Sequence, residues 1–169
     1  MSATGSPVTN VVMAGLGGQG VITASDILAE AALHAGLDVK KAEIHGMSQR
    51  GGLVSSDVRF GERVFSPMVP QGEADYLLLL APTELAAVQG CLRPDGVVIG
   101  TDLVAPDDLP NKRSLNVALL GALSVYLALP PNLIRVAMLA ALPEKLRATN
   151  EHAFALGREA ALARRAAGG

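Results

Sequence analysis

The stretch VVMAGLGGQGVITASDIL, residues 11–28, decides the fold class because closely spaced glycines join an apolar run to an amphipathic pattern. Residues 11–14 form a short apolar run, which is typical of a buried parallel strand. Over residues 21–33 apolar side chains recur at helical spacing, which predicts a helix that ends at Gly36. A second short strand is predicted at residues 38–44. Strand, glycine turn, helix and strand together predict a βαβ unit.

The segment that follows has a different period. In LVSSDVRF, residues 53–60, apolar and polar side chains alternate, which predicts a strand with one covered face. Gly61 and Glu62 predict a tight turn into a returning strand at residues 63–66, which completes a β-hairpin. The carboxylates of Asp57 and Glu62 are expected to be solvated.

The remaining chain returns to an α/β pattern. Apolar runs predict buried strands at residues 74–82 and 97–102, with a helix over residues 83–92 between them. Further helices are predicted at residues 114–129, 132–142 and 149–163. We therefore predict an α/β fold: a three-layer Rossmann-like domain with a mostly parallel sheet, an inserted β-hairpin and a helical C-terminal part.

Length and composition exclude several functional classes. The 169 residues fit one domain, residues 1–169, of which residues 1–9 are expected to be flexible. Apolar residues make up 50% of the chain and charged residues 18%, a composition that excludes disorder. The net charge of −2 provides no basic face, so we expect no nucleic-acid partner.

The cysteine count and the length of the apolar segments limit which metal sites the chain can hold and where in the cell it is expected. Cys91 is the only cysteine, so the chain cannot hold an iron–sulfur cluster or a cysteine zinc site. His34 and His152 have no partners at metal-ligand spacing, so no metal site is expected. The N-terminus lacks a signal peptide, and the longest apolar run is interrupted and shorter than the roughly 20 residues that span a bilayer. We expect a cytoplasmic chain without a membrane partner.

The first loop has the glycine spacing G-x-G-x-x-G, at Gly15, Gly17 and Gly20. Such a turn lets a ligand approach the backbone and directs helix N–H groups at an anion. A dinucleotide site also needs an acid about 20 positions later at the end of the second strand, but Glu43 lies too late and Asp38 lies at the strand's start. Two interpretations stay open: contact with an anion or cofactor, and a glycine turn for tight packing.

The second loop lies in EIHGMSQRGGLV, residues 43–54, after the second predicted strand. In an open α/β sheet this loop lies at the same edge as the glycine turn, where ligands bind. Arg50 can bind a carboxylate or phosphate through two hydrogen bonds, or form a solvated or interface salt bridge. His45 can orient the turn, and Met47 favours an apolar contact. We find no complete catalytic set in the sequence.

The paired motifs GLGGQG and HGMSQRGG, in this order, resemble the gamma-type domain of the 2-oxoacid:ferredoxin (acceptor) oxidoreductases. The resemblance covers residues 11–102 and, more loosely, the helical remainder. The HGMSQRGG form favours the arylpyruvate branch of that family over its pyruvate and 2-oxoglutarate branches.

Because both loops share one sheet edge and combine anion-binding and glycine features, we hypothesise that they meet there and face the catalytic subunit, near the coenzyme A or thiamine site. The resemblance carries over the family's loop residues. The residues it places in the loops are Gly15, Gly17, Gly18, Gln19, Gly20, His45, Gly46, Met47, Ser48, Gln49, Arg50, Gly51 and Gly52. It implies that thiamine diphosphate, iron–sulfur clusters and coenzyme A belong to the complex with a large catalytic subunit, and that this chain binds no cofactor alone. Electrons then pass to ferredoxin through the complex.

Two other functions remain open from the residues. One is a stand-alone Rossmann-type enzyme that binds NAD(P) or flavin, and the other is a structural or regulatory module of a different complex. For the isolated chain we expect a homodimer formed through apolar surface that a partner would otherwise cover.

Overall fold

The computed structural model describes residues 7–45 and 52–168. Within these residues the strands form an open five-stranded sheet of order β2-β3-β1-β4-β5. The strands are β1 (Thr9–Leu16), β2 (Asp38–His45), β3 (Leu53–Gly61), β4 (Ala74–Leu79) and β5 (Leu92–Gly100). The helices are α1 (Val21–His34), α2 (Leu85–Val88), α3 (Leu115–Ser124), α4 (Pro131–Ala141) and α5 (Arg147–Gly168).

The strand directions confirm the predicted α/β fold, but the sheet is mixed: two of its four strand pairings are parallel and two are antiparallel. β1 pairs in parallel with β4, and β4 with β5, whereas β3 runs antiparallel to both β1 and β2. β2 therefore runs in the same direction as β1, as a βαβ unit requires, but β3 lies between them. The antiparallel partners of β3 are β1 and β2, not the returning strand that the predicted hairpin required.

The predicted returning strand at residues 63–66 is wrong. After Gly61 the chain leaves the sheet and crosses its surface, because polar side chains of β2 and β3 bind its backbone. Val64 N–H donates to Asp38 Oδ2 over 2.8 Å, and the Arg59 guanidinium donates to Ser66 O over 2.8 Å. Residues 62–73 thus cover part of one sheet face instead of extending the sheet.

The two faces of the sheet are covered very differently. On the first face, Val11 and Met13 belong to a hydrophobic cluster that includes buried residues of α1, α3, α4 and α5. On the second face, the cluster around Val12 and Leu77 is packed against residues such as Val69 and Val88, from the crossing segment and the short α2. The third layer is therefore thin.

The C-terminal part is helical, as predicted, and α3 and α5 lie in close contact. Every residue of α3 is buried. A Cβ atom at Gly157 of α5 would lie 1.7 Å from Ala118 O, and one at Gly121 of α3 would lie 2.2 Å from Phe154 O. The two helices therefore approach backbone to backbone, which only glycine permits.

Several element boundaries differ from the sequence prediction. The helix predicted at residues 83–92 is reduced to α2 between two 3₁₀ turns, and β5 already begins at Leu92. The β4–β5 register shifts between Ala74 and Tyr76, which accommodates the turn-like residues 93–96 within β5. α3 ends at Ser124, whose hydroxyl donates to Gly121 O over 2.6 Å.

The N-terminal stretch expected to be flexible, residues 1–9, is described only from residue 7 onward. Thr9 begins β1 and pairs with Phe60 of β3. Among the helices of the described ranges, none is long and apolar enough to cross a membrane.

Candidate functional site

The first glycine turn joins the end of β1 to the start of α1. Gln19 N–H donates to Leu16 O over 3.1 Å, which closes the turn. Gly18 and Gly20 have φ angles of 89° and 84°, in the left-handed region that other residues rarely adopt. The carbonyl of Gly20 accepts a helical hydrogen bond of 3.0 Å from Ala24 N–H. The backbone of this turn therefore requires glycine at positions 18 and 20.

The Gln19 side chain holds the turn from inside. Its Oε1 accepts from Leu16 N–H at 2.7 Å, and its Nε2 donates to Leu80 O at 3.3 Å. A Cβ at Gly15 would lie 2.8 Å from Gln19 Oε1 and 3.0 Å from Val21 Cγ2. Gly15 and Gln19 thus have packing roles that link β1, α1 and the end of β4. Their contact with a cofactor stays a prediction.

The ends of the second loop lie against the first turn. Gly17 N–H donates to Gly52 O over 3.1 Å. Val54 of β3 pairs with Gly15 on one side and with His45 on the other. The flanks of both loops therefore meet at the carboxyl edge of β1 and β2, as expected. The loop residues between them lie outside the described residues: Gly46, Met47, Ser48, Gln49, Arg50 and Gly51.

A cavity of about 500 Å³ opens beside the glycine turn. Gly17, Gly18 and Gly20 line it together with the first turn of α1 and Val54. No side chain caps the N-terminus of α1 within the described ranges, and its first turn holds no acidic residue. The N–H groups and the dipole at this helix end favour an anionic group. The cavity can therefore accept an anion or an acidic group of a partner.

Asn116 of α3 supports the turn, and sequence analysis missed it. Its Nδ2 donates to Gly20 O over 3.3 Å, and its Oδ1 accepts from Val117 N–H over 2.9 Å. A Cβ at Gly20 would lie 2.4 Å from Asn116 Nδ2. The available signal was a single amide within an otherwise apolar helix, because a buried polar side chain needs hydrogen-bond partners.

The spatial arrangement lacks the acid of a dinucleotide site. In that type of site, an acidic residue at the end of the neighbouring parallel strand binds the ribose. Here the neighbour of β1 on that side is the antiparallel β3, and Glu43 lies one strand further away on β2. Glu43 also forms an ion pair of 2.5 Å with Lys41. The stand-alone dinucleotide-binding interpretation therefore loses its structural support.

Lys41 connects β2 to α1 through charged contacts. Its Nζ lies 2.5 Å from Asp26 Oδ1 of α1 and 3.3 Å from Ser25 Oγ. Burial lowers the pKa of Lys41, but hydrogen bonds and charges of Asp26 and Glu43 outweigh burial and raise the pKa above its usual value. Lys41 is therefore a structural cation.

Asp57 was expected to be solvated, and this expectation is wrong. Its side chain lies under the crossing segment, is 6% exposed, and accepts a 2.9 Å hydrogen bond from Val69 N–H. Burial raises the pKa of Asp57, although the bond from Val69 and the charge of Arg59 oppose that rise. Burial, together with the charge of Asp57, also raises the pKa of the Cys91 thiol. Cys91 is thus a poor nucleophile.

The donor set of this chain does not fit a resident iron–sulfur cluster, since a single cysteine cannot replace the thiolates that such a cluster needs. Across residues 7–45 and 52–168, no group of three or more His, Cys, Asp and Glu side chains can hold a metal ion.

Comparisons with known proteins agree with the fold. Residues 10–160 match the family described as pyruvate ferredoxin/flavodoxin oxidoreductase. The chain therefore belongs to this family.

One curated relative is the indolepyruvate oxidoreductase subunit IorB of Thermococcus kodakarensis. It is 48% identical over 89 residues, which cover 53% of this chain and 44% of the relative. The match thus spans less than half the length of that relative.

Two solved structures share the fold. The gamma subunit of a keto/oxoacid ferredoxin oxidoreductase from Geobacter sulfurreducens has a TM-score of 0.80 at 24% identity, covering 94% of this chain and 98% of that chain. The 2-oxoglutarate:ferredoxin oxidoreductase of Magnetococcus marinus, with 2-oxoglutarate, coenzyme A and succinyl-CoA bound, has a TM-score of 0.76 at 21% identity. That match covers 94% of this chain and 32% of that chain. In the second structure the shared fold is one part of a longer polypeptide.

Proposed function

We propose that this chain is the accessory subunit of a thiamine-diphosphate- and iron–sulfur-dependent 2-oxoacid:ferredoxin oxidoreductase. The proposed reaction is oxidative decarboxylation of an arylpyruvate, such as indolepyruvate, to the acyl-CoA, with ferredoxin as the electron acceptor. One observation carries the proposal: the 3.1 Å hydrogen bond from Gly17 N–H to Gly52 O, which joins the flanks of the two family loops. The pyruvate and 2-oxoglutarate branches are the alternative substrate classes.

The proposal assigns thiamine diphosphate and the iron–sulfur clusters to a large partner subunit. The single cysteine and the raised pKa of its thiol support this division. When bound in the complex, these groups supply decarboxylation and electron transfer. The contribution of this chain is binding and positioning, so the isolated chain should not turn over any oxoacid. A cytoplasmic location is part of the same proposal.

We assign the partner contact to the carboxyl edge of β1 and β2. The cavity there is lined largely by backbone, and glycines leave the backbone accessible. The N-terminus of α1 favours an anionic neighbour, and the sequence of the second loop contains Arg50, whose guanidinium can bind an anion. With the N-terminus of α1 and the guanidinium of Arg50, this edge of the sheet can contact coenzyme A, the thiamine site or acidic groups of the partner.

The substitution Arg50→Ala in the complex reconstituted with the thiamine-binding subunit tests this assignment. We expect turnover of indolepyruvate to fall by about tenfold or more, because a guanidinium–anion contact is charge-assisted. Arg63→Ala is the matched control, since Arg63 is exposed and follows β3 at the opposite edge of the sheet. Normal assembly and turnover with Arg50→Ala would reject the proposed edge.

The substrate class is tested separately with the unmodified complex. Rates with indolepyruvate, pyruvate and 2-oxoglutarate are compared at equal concentrations, and we expect indolepyruvate to have the highest kcat/KM. A preference for pyruvate or 2-oxoglutarate would move the protein to another branch while leaving the accessory role intact.

The proposal includes self-association of the isolated chain through apolar surface. Phe65 and Met68, on the segment that crosses the second sheet face, are 85% and 54% exposed. Large exposed apolar side chains that lie close together often mark contact surfaces. Sedimentation of the isolated chain should show a dimer, and Phe65→Ser should shift it to monomer; a monomer at all concentrations contradicts this part.

A further inference from the structure

A second cavity, separate from the one at the glycine turn, has several polar side chains in its lining. It has a volume of about 130 Å³ and lies between the first turn of α1, the turn before α3 and the first turns of α5. Thr23, Arg113, Asn116, Thr149 and Asn150 contribute to its lining. Except for the known structural bonds of Asn116, these side chains have no assigned role in the fold or in the proposed complex.

Asn150 is the residue that requires explanation. Its side chain lines the cavity and only 6% of the residue is exposed, yet no hydrogen-bond partner for its amide exists in the part of the chain that the structure describes. Because an amide normally makes hydrogen bonds, the Asn150 side chain is available to a polar ligand or to ordered water in this cavity.

Arg113 determines the charge of that occupant. Its guanidinium forms no ion pair within residues 7–45 and 52–168, whereas the neighbouring Lys112 is paired with Asp107 at 2.9 Å. No acidic residue lines the cavity. The first turns of α1 and α5, which contribute Thr23 and Thr149, also contain no acidic residue. An unpaired cation and the N-terminus of α1 at one cavity favour an anion.

We propose that this cavity binds one small oxyanion of the size of inorganic phosphate. Arg113 supplies the positive charge, and the amide of Asn150 and the hydroxyls of Thr23 and Thr149 donate hydrogen bonds to its oxygens. The volume is equivalent to about four water molecules, which suits a phosphate ion but not a whole nucleotide. This site goes beyond the proposed function, since its residues belong to neither family loop.

The oxyanion can be a free ion or the phosphate group of a larger molecule. Thr23 also lines the larger cavity at the glycine turn, so the ester group of a phosphate monoester has space on that side. The shared chemistry is the phosphoryl group, and the two sources differ in whether the ester group adds affinity.

Titration calorimetry of the full 169-residue chain with inorganic phosphate and with AMP tests the proposal. We expect one phosphate per chain, and about tenfold or more weaker binding by Arg113→Gln and by Asn150→Leu. Arg147→Gln is the matched control, because Arg147 is an exposed arginine at the start of α5 that does not line the cavity. Its phosphate affinity should stay within twofold of the unmodified chain.

The outcomes separate the possibilities. Equal affinity for phosphate and AMP supports a free ion, and tighter AMP binding that Arg113→Gln abolishes supports a phosphate ester. If Asn150→Leu fails to fold, Arg113→Gln decides alone, since the exposed Arg113 side chain has no described partner. Absence of saturable phosphate binding up to millimolar concentrations, or equal weakening by Arg147→Gln, overturns the proposal.

Discussion

Glycine serves different purposes in two regions of this molecule. In the turn between β1 and α1, Gly18 and Gly20 have positive φ angles, and Gly18 has no heavy atom within 4 Å of where a Cβ would lie. At the α3–α5 crossing, Gly121 and Gly157 lie within helices, and a Cβ would meet the backbone of the opposite helix. Glycine in the turn allows the positive φ angles and, at Gly18, leaves open space, whereas at the crossing it allows close contact between two helices.

Clustered glycines in a turn and single glycines within helices therefore predict different effects of substitution. Open space around Gly18 is available to a ligand or a partner, so substitution at this position should affect function more than stability. Space at the crossing is already filled by the neighbouring helix, so substitution there should affect stability alone.

The largest expected effect comes from Gly157→Ala. The added Cβ would lie 1.7 Å from Ala118 O, so α3 and α5 must separate. We expect the free energy of unfolding, from urea denaturation, to fall by about 4 kcal/mol or more, or folding to fail.

Gly168→Ala is the control for this change, because it introduces the same methyl group near the end of the same helix with no atom within 4 Å. Alanine is the better helix former, so stability should be unchanged or raised by less than about 1 kcal/mol. If Gly157→Ala behaved like Gly168→Ala, the close helix contact would be refuted.

Gly20→Ala should have an intermediate effect on the free energy of unfolding, because Gly20 has both a positive φ angle and a close contact with Asn116. Its φ of 84° costs an L-residue about 1–2 kcal/mol. The Cβ would also lie 2.4 Å from Asn116 Nδ2, but that side chain can shift, so we expect a total loss of about 3 kcal/mol by urea denaturation. In the background Asn116→Ala the loss should shrink toward the backbone part alone; an unchanged loss would show that the two residues do not interact.

Gly18→Ala should have the smallest effect on stability. Only the backbone part applies, about 1–2 kcal/mol, because no heavy atom lies within 4 Å of the Cβ position. The same substitution fills space at the proposed partner edge, so activity of the reconstituted complex should fall more than stability explains. Equal losses at Gly18 and Gly20 by urea denaturation would remove the distinction between shape and contact within the turn.

The local elements were predictable from sequence wherever one segment contains its own signal. The apolar run before Gly15 and the helical spacing after Gly20 predicted β1 and α1 correctly. The position of β3 between β1 and β2 was not predictable, because alternation identifies a half-covered strand without naming its neighbours. The prediction of a hairpin turn at Gly61 was wrong for a similar reason. Asp38 and Arg59 bind the backbone of the segment 62–73 through tertiary contacts that the local pattern does not show.

The candidate site was predictable in location but not in its internal contacts. Two loops after neighbouring strand ends predicted a common edge, and the flanking residues Gly17 and Gly52 are hydrogen-bonded there. The inward orientation of Gln19 and the support from Asn116 depend on tertiary contacts across 61 and 96 positions, which no local pattern encodes. The polar cavity around Asn150 depends on such contacts as well.

The most direct test of the account is hydrogen–deuterium exchange of this chain, alone and in complex with the thiamine-binding subunit. We expect protection on complex formation in peptides that cover residues 14–24 and 44–54, and unchanged exchange across the α3–α5 crossing. Protection confined to the crossing or to the opposite sheet edge, with residues 14–24 and 44–54 unchanged, would contradict it.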